Sequence, residues 1–162
     1  MTHREPRPPT GLPSSNSLLD DTNRRLLRVL RDDPRASAAE LARQVGMSAP
    51  AVRERLHRLE HAGVIRGYHV DIDPAALGLP VAAWVRIQPG PGQLSKIADL
   101  ADRVPEVSEC HRISGEDCFL LKVHVAAVDA LAAILDQFLP HGHTTSSFIV
   151  STPVAPRTPG RS

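Results

Sequence analysis

The length, composition and charge of the chain are those of an ordinary globular protein. Its 162 residues are 41% hydrophobic and carry a formal net charge of +1, which suits one ordinary domain or two small ones. No stretch approaches the roughly 20 apolar residues of a membrane helix, and the first 17 residues lack the apolar core of a secretory signal. Cys110 and Cys118 form no recognised disulfide or redox motif. We therefore expect a cytoplasmic protein with no membrane partner.

The charge is unevenly distributed along the chain. Residues 1–69 contain 12 arginines and 8 acidic residues, a balance of +4, whereas residues 70–162 contain 7 basic and 10 acidic residues, a balance of −3. A basic front half indicates a polyanionic partner for that half alone. A difference of a few charges also arises by chance, so this observation needs support from the motifs.

The front half begins with the periodicity of two short helices. The first helix is capped by Asp20 or Asp21 and ends before Pro34, because proline disfavours a helical residue ahead of it. The second helix begins at the capping box of residues 37–40 and ends at Gly46, which favours a left-handed C-terminal cap.

A third helix follows the second almost immediately. It begins at Ser48 and ends at Gly63, with its apolar residues Val52, Leu56 and Leu59 on one face. Two short helices joined so closely favour the helix-turn-helix crossing, which projects the second of them outward. The sequence therefore predicts that the opposite face of the third helix is exposed.

Eight residues in this region are candidates for contacts with double-stranded DNA. Arginine reads guanine edges with two hydrogen bonds, and a serine hydroxyl or a helix N-terminus binds phosphate. Arg55 lies nearer the core, where it serves either phosphate or an ion pair with a neighbouring acid. The candidates are Ser48, Pro50, Arg53, Glu54, Arg55, His57, Arg58 and Arg66. The alternative is a helical bundle whose basic face is simply solvated.

The segment after the third helix alternates in character. Tyr68, Val70 and Ile72 are separated by polar residues, a period of two that predicts a strand or a wing. Arg66 lies where such a wing would meet the DNA backbone.

The rear half has the order strand-helix-strand twice. This βαββαβ order indicates a ferredoxin-like sandwich, whose helices cover only one face of the sheet, so we expect a homodimer that covers the other. The predicted elements are strand 81–88, helix 93–104, strands 107–114 and 119–125, helix 128–139 and strand 144–151. The fold class is thus α+β. The predicted organisation is a disordered tail (1–17), a winged helix-turn-helix domain (18–73), a linker (74–80), the ferredoxin-like effector and oligomerisation domain (81–152) and a second disordered tail (153–162).

Several motifs carry a resemblance to a known family over about residues 18–152. They are Asp32-Asp33-Pro34-Arg35, Met47-Ser48, Arg55 through Leu59-Glu60, Gly63-Val64-Ile65, Leu77-Gly78, Pro105-Glu106-Val107, Gly115-Glu116-Asp117-Cys118 and Thr144 to Phe148. In this combination the chain resembles the Lrp/AsnC family of bacterial and archaeal regulators. The resemblance implies a winged helix-turn-helix and a ferredoxin-like domain that forms dimers and often octamers. It also implies a small-molecule effector, commonly an amino acid, bound between dimers.

Three positions depart from the pattern of the family. Asn23 stands where the family often has Asp, which we interpret as a minor change in helix capping. Cys118 falls where many members have an Asp near the effector, and the usual Gly-Val before the last strand is replaced by His141-Gly142-His143.

The resemblance points to a second candidate site in the rear half. An amino-acid zwitterion needs acceptors for its ammonium group, which Glu116 or Asp117 supplies, and donors for its carboxylate, which backbone N–H groups and hydroxyls supply. The predicted effector residues are Ser114, Gly115, Glu116, Asp117, Cys118, Thr144 and Ser146. The alternative is an ordinary hairpin turn with solvated acids.

A metal site and an enzymatic activity are the other two possibilities for this sequence. The cysteines and histidines of the rear half have no zinc spacing, so we expect no metal and no cofactor. Siroheme decarboxylase subunits are similar in fold, and an enzyme of that type is the alternative function. We favour the regulator, because an enzyme would have no reason to keep the arginine-rich face of the third helix.

Overall fold

A computed structural model of the chain describes residues 18–157 and 159. These residues divide into two compact units between Val70 and Asp71. The tail predicted for residues 1–17 lies outside the described residues, as do residues 158 and 160–162 of the tail predicted at the other end. Within the described part of the chain, every helix is too short or too polar to cross a lipid bilayer.

Three helices form the first unit: α1 (Asp21–Asp32), α2 (Ala38–Val45) and α3 (Ala49–His61). Each begins at a side-chain cap that satisfies amide groups of the first turn. Asp20 caps α1, Ser37 and Glu40 form the predicted capping box of α2, and Ser48 caps α3. The helices enclose a small apolar core of Leu26, Leu41, Ala42, Val45 and Val52. The three predicted helices are confirmed.

The strand predicted after α3 does not form within one chain. Residues 64–73 lie in no sheet of the described structure, and Tyr68, Val70 and Ile72 are 54%, 84% and 54% exposed. The hydroxyl of Tyr68 donates a hydrogen bond of 2.9 Å to Glu60 of α3, but the backbone finds no neighbouring strand. Alternation of apolar residues predicts an extended backbone, whereas a strand also needs a hydrogen-bonded partner.

The second unit begins with a short 3-10 helix, Pro74–Leu77, which lies in the predicted linker. Asp73 caps it, and Gly78 follows in the left-handed region with φ of 79°.

The remainder of the second unit is a four-stranded antiparallel sheet with two helices. The strands are β1 (Val81–Pro89), β2 (Val107–Arg112), β3 (Phe119–Val125) and β4 (Gly142–Phe148), and the helices are α4 (Leu94–Arg103) and α5 (Ala130–Phe138). Among the described residues the strand order is β2-β3-β1-β4, so β1 and β3 are central. All six predicted elements are present, and the βαββαβ fold is confirmed.

The two faces of this sheet differ in composition. Alternate residues of the central strands, including Val85, Ile87, Leu121 and Val123, are buried in one core with Phe138 of α5. Because side chains alternate along a strand, the residues between them lie on the other side. We call this second side the open face. Its members include Trp84, Arg86, Gln88, Leu120, Lys122 and His124.

Gly142 marks the point where β1 and β4 approach most closely. It pairs with Pro89, and a Cβ atom at this position would overlap the Gln88 carbonyl oxygen and lie 3.0 Å from Pro89 Cα. The backbone of Gly142 is extended, with φ of 171°, a conformation that any residue adopts. Glycine is needed here because a side chain would not fit between the two strands.

We expect Gly142→Ala to destabilise the second unit by about 1–3 kcal/mol, because the methyl group has to push backbone atoms apart. The measurement is the free energy of unfolding in denaturant. Gly90→Ala is the matched control, since a Cβ at Gly90 meets its nearest atoms at 3.6 and 3.7 Å. Equal stability of the two variants would contradict the steric argument.

Candidate DNA-binding surface and effector site

The turn between α2 and α3 is short because a glycine ends the second helix. Gly46 adopts the left-handed region with φ of 71°, which residues with a side chain rarely enter. The amide of Met47 then donates to the Ala42 carbonyl at 3.0 Å, and Ser48 already caps α3. The chain thus leaves α2 and enters α3 within three residues, as a helix-turn-helix requires.

The two faces of α3 follow the predicted register. Val52 and Leu59 are fully buried and Leu56 is partly buried against the helical core. Six of the eight predicted residues, at the start of α3 and on its other faces, are exposed to solvent. The exposed residues are Ser48, Pro50, Arg53, Glu54, His57 and Arg58. Arg66, in the extended segment after α3, is exposed as well.

Arg55, one of the predicted DNA-binding residues, instead contacts two residues at the start of α1. Its guanidinium Nη1 donates to Asp20 Oδ2 at 2.6 Å and to Asn23 Oδ1 at 3.0 Å. Of the two roles considered for Arg55, the geometry shows the ion pair with a neighbouring acid. Arg55 is only partly exposed and holds α3 against the start of α1.

Asn23 is part of the same contact, and the interpretation of this residue as a capping change is wrong. Its side chain is buried, and its Nδ2 donates to the Leu18 carbonyl at 2.7 Å while its Oδ1 accepts from Arg55. An aspartate could accept from Arg55 but could not donate to Leu18. The residue that caps α1 is Asp20.

Asp20 serves two elements with one carboxylate. Its Oδ1 accepts from the Asn23 amide at 2.7 Å, while its Oδ2 accepts from Arg55. The backbone hydrogen bond from Asn23, together with the hydrogen bond from Arg55, lowers the pKa of Asp20 below its ordinary value of 3.8.

The predicted effector residues of the rear half lie in two separate places. Residues 114–118 form the turn between β2 and β3, where the Ile113 amide donates to the Cys118 carbonyl at 2.9 Å and the Cys118 thiol donates to the Gly115 carbonyl at 3.4 Å. Gly115 has φ of 114°, and no atom lies within 4 Å of the position of a Cβ there. The turn therefore offers open backbone beside the carboxylates of Glu116 and Asp117.

Thr144 and Ser146 lie across the sheet from this turn. They pair with Ile87 and Val85 of β1, and Ile87 in turn pairs with Phe119 at the start of β3. Two strand spacings, about 10 Å, thus separate β4 from β3. Thr144 and Ser146 also lie on the helix-covered side of the sheet. The structure does not bring the two groups together within one chain.

Sequence reasoning missed a residue next to the turn of residues 114–118, which we call the effector turn after its predicted role. Arg86, on the open face of β1, has its Nε 3.9 Å from Asp117 Oδ2. The available signal was an arginine within the otherwise apolar run of residues 81–87, where a charge needs a partner.

No metal site is apparent in the part of the chain that the structure describes, because its His, Cys, Asp and Glu side chains do not gather in groups of three or more suited to a metal ion. Cys110 and Cys118 are free thiols.

Comparison with known proteins identifies the family. Residues 19–60 match the AsnC-type helix-turn-helix domain, and residues 82–159 match the Lrp/AsnC ligand binding domain. The HTH-type transcriptional regulator LrpA of Mycobacterium tuberculosis is 37% identical over 140 residues, which cover 85% of this chain and 93% of that protein. The chain belongs to the Lrp/AsnC family. It is a DNA-binding transcriptional regulator.

Other Lrp/AsnC proteins are similar over the same range. The leucine-responsive regulatory protein of Escherichia coli is 31% identical and covers 82% of this chain and 84% of its own length. The feast or famine regulatory protein of M. tuberculosis complexed with L-methionine has a TM-score of 0.81 at 36% identity, covering 86% of this chain and 97% of that chain. An L-methionine complex of a regulator from Neisseria meningitidis has a TM-score of 0.79 at 27% identity, with 86% and 94% covered.

The geometry of Asp20 makes a prediction about stability and pH. Asp20→Asn keeps an acceptor for the cap but removes the charge that pairs with Arg55, so we expect a less stable protein at neutral pH. A carboxyl group whose pKa is lowered by folding contributes stability above its unfolded pKa and loses it as the pH falls through the folded value. The stability difference between wild type and Asp20→Asn should therefore shrink below about pH 3.8.

The measurement is thermal or denaturant unfolding of both proteins across this pH range. Asp21→Asn is the control, since Asp21 is the neighbouring exposed acid of α1 and should change stability little. A difference between wild type and Asp20→Asn that stays constant from neutral to acid pH would show that the Asp20 charge does not support the fold.

Proposed function

We propose that the outer face of α3 reads a specific DNA sequence. The supporting observation is its register: Val52 and Leu59 of α3 are fully buried, while Arg53, His57 and Arg58 are exposed together on the opposite side. Residues near the start of a recognition helix lie closest to the floor of the major groove, which favours Arg53 for base contacts. We expect Ser48 and Arg66, which are both exposed, to contact phosphates.

The proposed activity is regulation and not catalysis. The relatives named above are transcriptional regulators, and the alternative enzyme of the siroheme decarboxylase type finds no support among them. The proposed compartment is the cytoplasm, where the operator DNA lies. We propose no cofactor other than a small-molecule effector.

The assembly that we propose is a homodimer through the open face of the sheet, with octamers built from it. Trp84 and Leu120 are partly exposed on this face, and the charges of Lys122 and Glu109 are already paired within the chain. Lys122 Nζ donates to Glu109 Oε1 at 3.2 Å, and the other oxygen of Glu109 lies 3.1 Å from the His111 Nε2. Burial by itself raises the pKa of Glu109, but the hydrogen bonds from His111 and Lys122 outweigh that effect. The pKa of Glu109 therefore lies below its ordinary value. A partner can therefore cover these groups without leaving a charge unpaired.

The extended segment after α3 supports the same proposal. Tyr68, Val70 and Ile72 have the alternation of a strand and no partner strand in the described residues. The equivalent segment of a second copy, running antiparallel, would supply that partner.

The proposed effector is an amino acid, and the proposed pocket includes residues 114–118. Two similar proteins are described as complexes with L-methionine and a third as leucine-responsive. Because Thr144 and Ser146 lie about 10 Å from the turn within one chain, they would join the pocket only from a neighbouring copy, as a site between dimers allows.

We expect Arg53→Ala to weaken binding to the specific operator by about 1–3 kcal/mol and to relax the preference for one base. Arg66→Ala should instead weaken binding to all sequences alike and reduce the dependence on salt. The measurement is DNA affinity as a function of salt, on sites found by genomic footprinting. Arg103→Ala, which removes an exposed charge from the second unit, is the control. Operator affinity of Arg53→Ala equal to that of wild type would refute this register.

The assembly is tested by light scattering at micromolar concentration. We expect a dimer or a multiple of it for the wild type, and a smaller species for Trp84→Glu, because a carboxylate would be buried at the centre of the interface. Val128→Glu is the matched control, since Val128 is exposed in the segment between β3 and α5, outside the open face, and should leave the dimer intact. A monomeric wild type would contradict the proposed assembly.

A further inference from the structure

Arg86 occupies an unusual position for a charged residue. It lies in the central strand β1, where Val85 and Ile87 on either side are fully buried. Its neighbours across the sheet are Leu120 of β3 and Thr145 of β4. Residues that pair directly share one side of a sheet, so the Arg86 side chain leaves β1 on the open face, at the end of the sheet where the effector turn lies.

The guanidinium of Arg86 lies near Asp117 of that turn but outside hydrogen-bonding distance of its carboxylate. The 3.9 Å between Arg86 Nε and Asp117 Oδ2 is too long for a hydrogen bond. The two side chains remain 47% and 43% exposed. The donors of Arg86 and the acceptors of Asp117 thus lie side by side, attract each other, and retain hydrogen-bonding capacity for a third group.

The open backbone of the turn adjoins this pair of charges. Gly115 lies two residues before Asp117 and has open space where a side chain would be. The side chain of Leu120 shares the open face with Arg86 and is only partly buried, which provides an apolar surface next to the charges.

We propose that Arg86 binds the α-carboxylate of the amino-acid effector while Asp117 binds its α-ammonium group. The inference rests on the proposed function of the turn as an effector site. A zwitterion placed over the pair completes a ring of four alternating charges, in which each charge lies between two of opposite sign. A planar guanidinium suits this role because it binds a carboxylate through two parallel hydrogen bonds.

This arrangement sets the chemical class of the effector. A ligand needs both a free carboxylate and a free amine, so an amino-acid amide loses the ion pair with Arg86 and keeps the one with Asp117. Leu120 and the side chain of the ligand meet on the open face, which favours apolar amino acids. Thr144 and Ser146, on the other side of the sheet, are not needed for the carboxylate.

The competing explanation is that Arg86 and Asp117 form an ordinary surface ion pair. Such pairs contribute little to stability and need no ligand. The two explanations differ in what the Arg86 charge does to ligand affinity. If Arg86 binds the ligand, its loss removes the preference for a carboxylate over a neutral amide, whereas the loss of a purely structural ion pair leaves that preference unchanged. The test is therefore built on an amino acid and its amide.

The experiment measures binding to the full-length protein by calorimetry, after a thermal-shift screen of the twenty L-amino acids. The ligand pair is L-methionine and L-methioninamide, or the best amino acid of the screen and its amide. We expect wild type to bind the acid at least tenfold more tightly than the amide. Arg86→Gln should lose about ten- to a hundredfold in affinity for the acid and little for the amide, so that the preference disappears.

Two further variants separate the roles of the charges. Asp117→Asn should weaken the acid and the amide alike, because both ligands carry the ammonium group. Arg112→Gln is the matched control, since Arg112 lies on the other side of the sheet with its guanidinium carbon 5.6 Å from the Phe119 ring centroid. It should keep the full preference for the acid. Thermal unfolding and light scattering of each variant verify that fold and assembly are retained.

The outcomes distinguish this inference from the proposed function that supports it. If an amino acid binds wild type and Arg86→Gln keeps the preference for the acid over the amide, the assignment of Arg86 is wrong while the effector function stands. If none of the twenty amino acids binds wild type, the proposed effector function fails, and the assignment of Arg86 fails with it.

Discussion

A single carboxylate fixes the orientation of α3, the helix that we propose reads DNA. Asp20 caps α1 through one oxygen and holds Arg55 of α3 through the other, and Asn23 completes the contact by bridging Arg55 to the Leu18 carbonyl. Because Arg55 is anchored in this way, α3 cannot rotate about its own axis without breaking an ion pair and burying Asn23 unsatisfied. The exposed positions of Arg53, His57 and Arg58 follow from that anchor as much as from the apolar residues Val52 and Leu59.

The second unit has an equivalent constraint in β1. This strand is hydrogen-bonded on both edges, so its side chains are fixed to one face or the other with little freedom to shift register. Gly142 admits the close approach of β4, and the antiparallel pairing with β3 places Arg86 opposite Leu120. The position of Arg86 beside the effector turn is thus a consequence of sheet register and not of any local motif.

The elements that the sequence predicted well are those with local signals. The capping box at Ser37, the glycine at Gly46 and the cap at Ser48 each act within a few residues, and the structure reproduces all three. What could not be predicted depends on contacts that are distant along the chain. The partner of Arg55 is 35 residues away along the chain. The distance between β4 and the turn depends on the order of the strands in the sheet. The segment Tyr68–Ile72 alternates like a strand, but a local pattern does not show whether a second strand lies beside it. Arg86 was missed for the same reason, since its proximity to Asp117 appears only in the folded sheet.

The location of Arg86 also determines how effector binding and assembly affect each other. Arg86 belongs to the open face, which the proposed partner covers, and its guanidinium lies beside the turn that the proposed effector occupies. A carboxylate that binds Arg86 changes the charge that the partner meets on this face, and a partner that covers the face changes the solvation of Arg86. Coupling between two binding events is reciprocal, so an effector that strengthens one assembly must bind more tightly to that assembly. This coupling would need no conformational pathway through the sheet, because the proposed effector and the proposed partner both meet the same guanidinium.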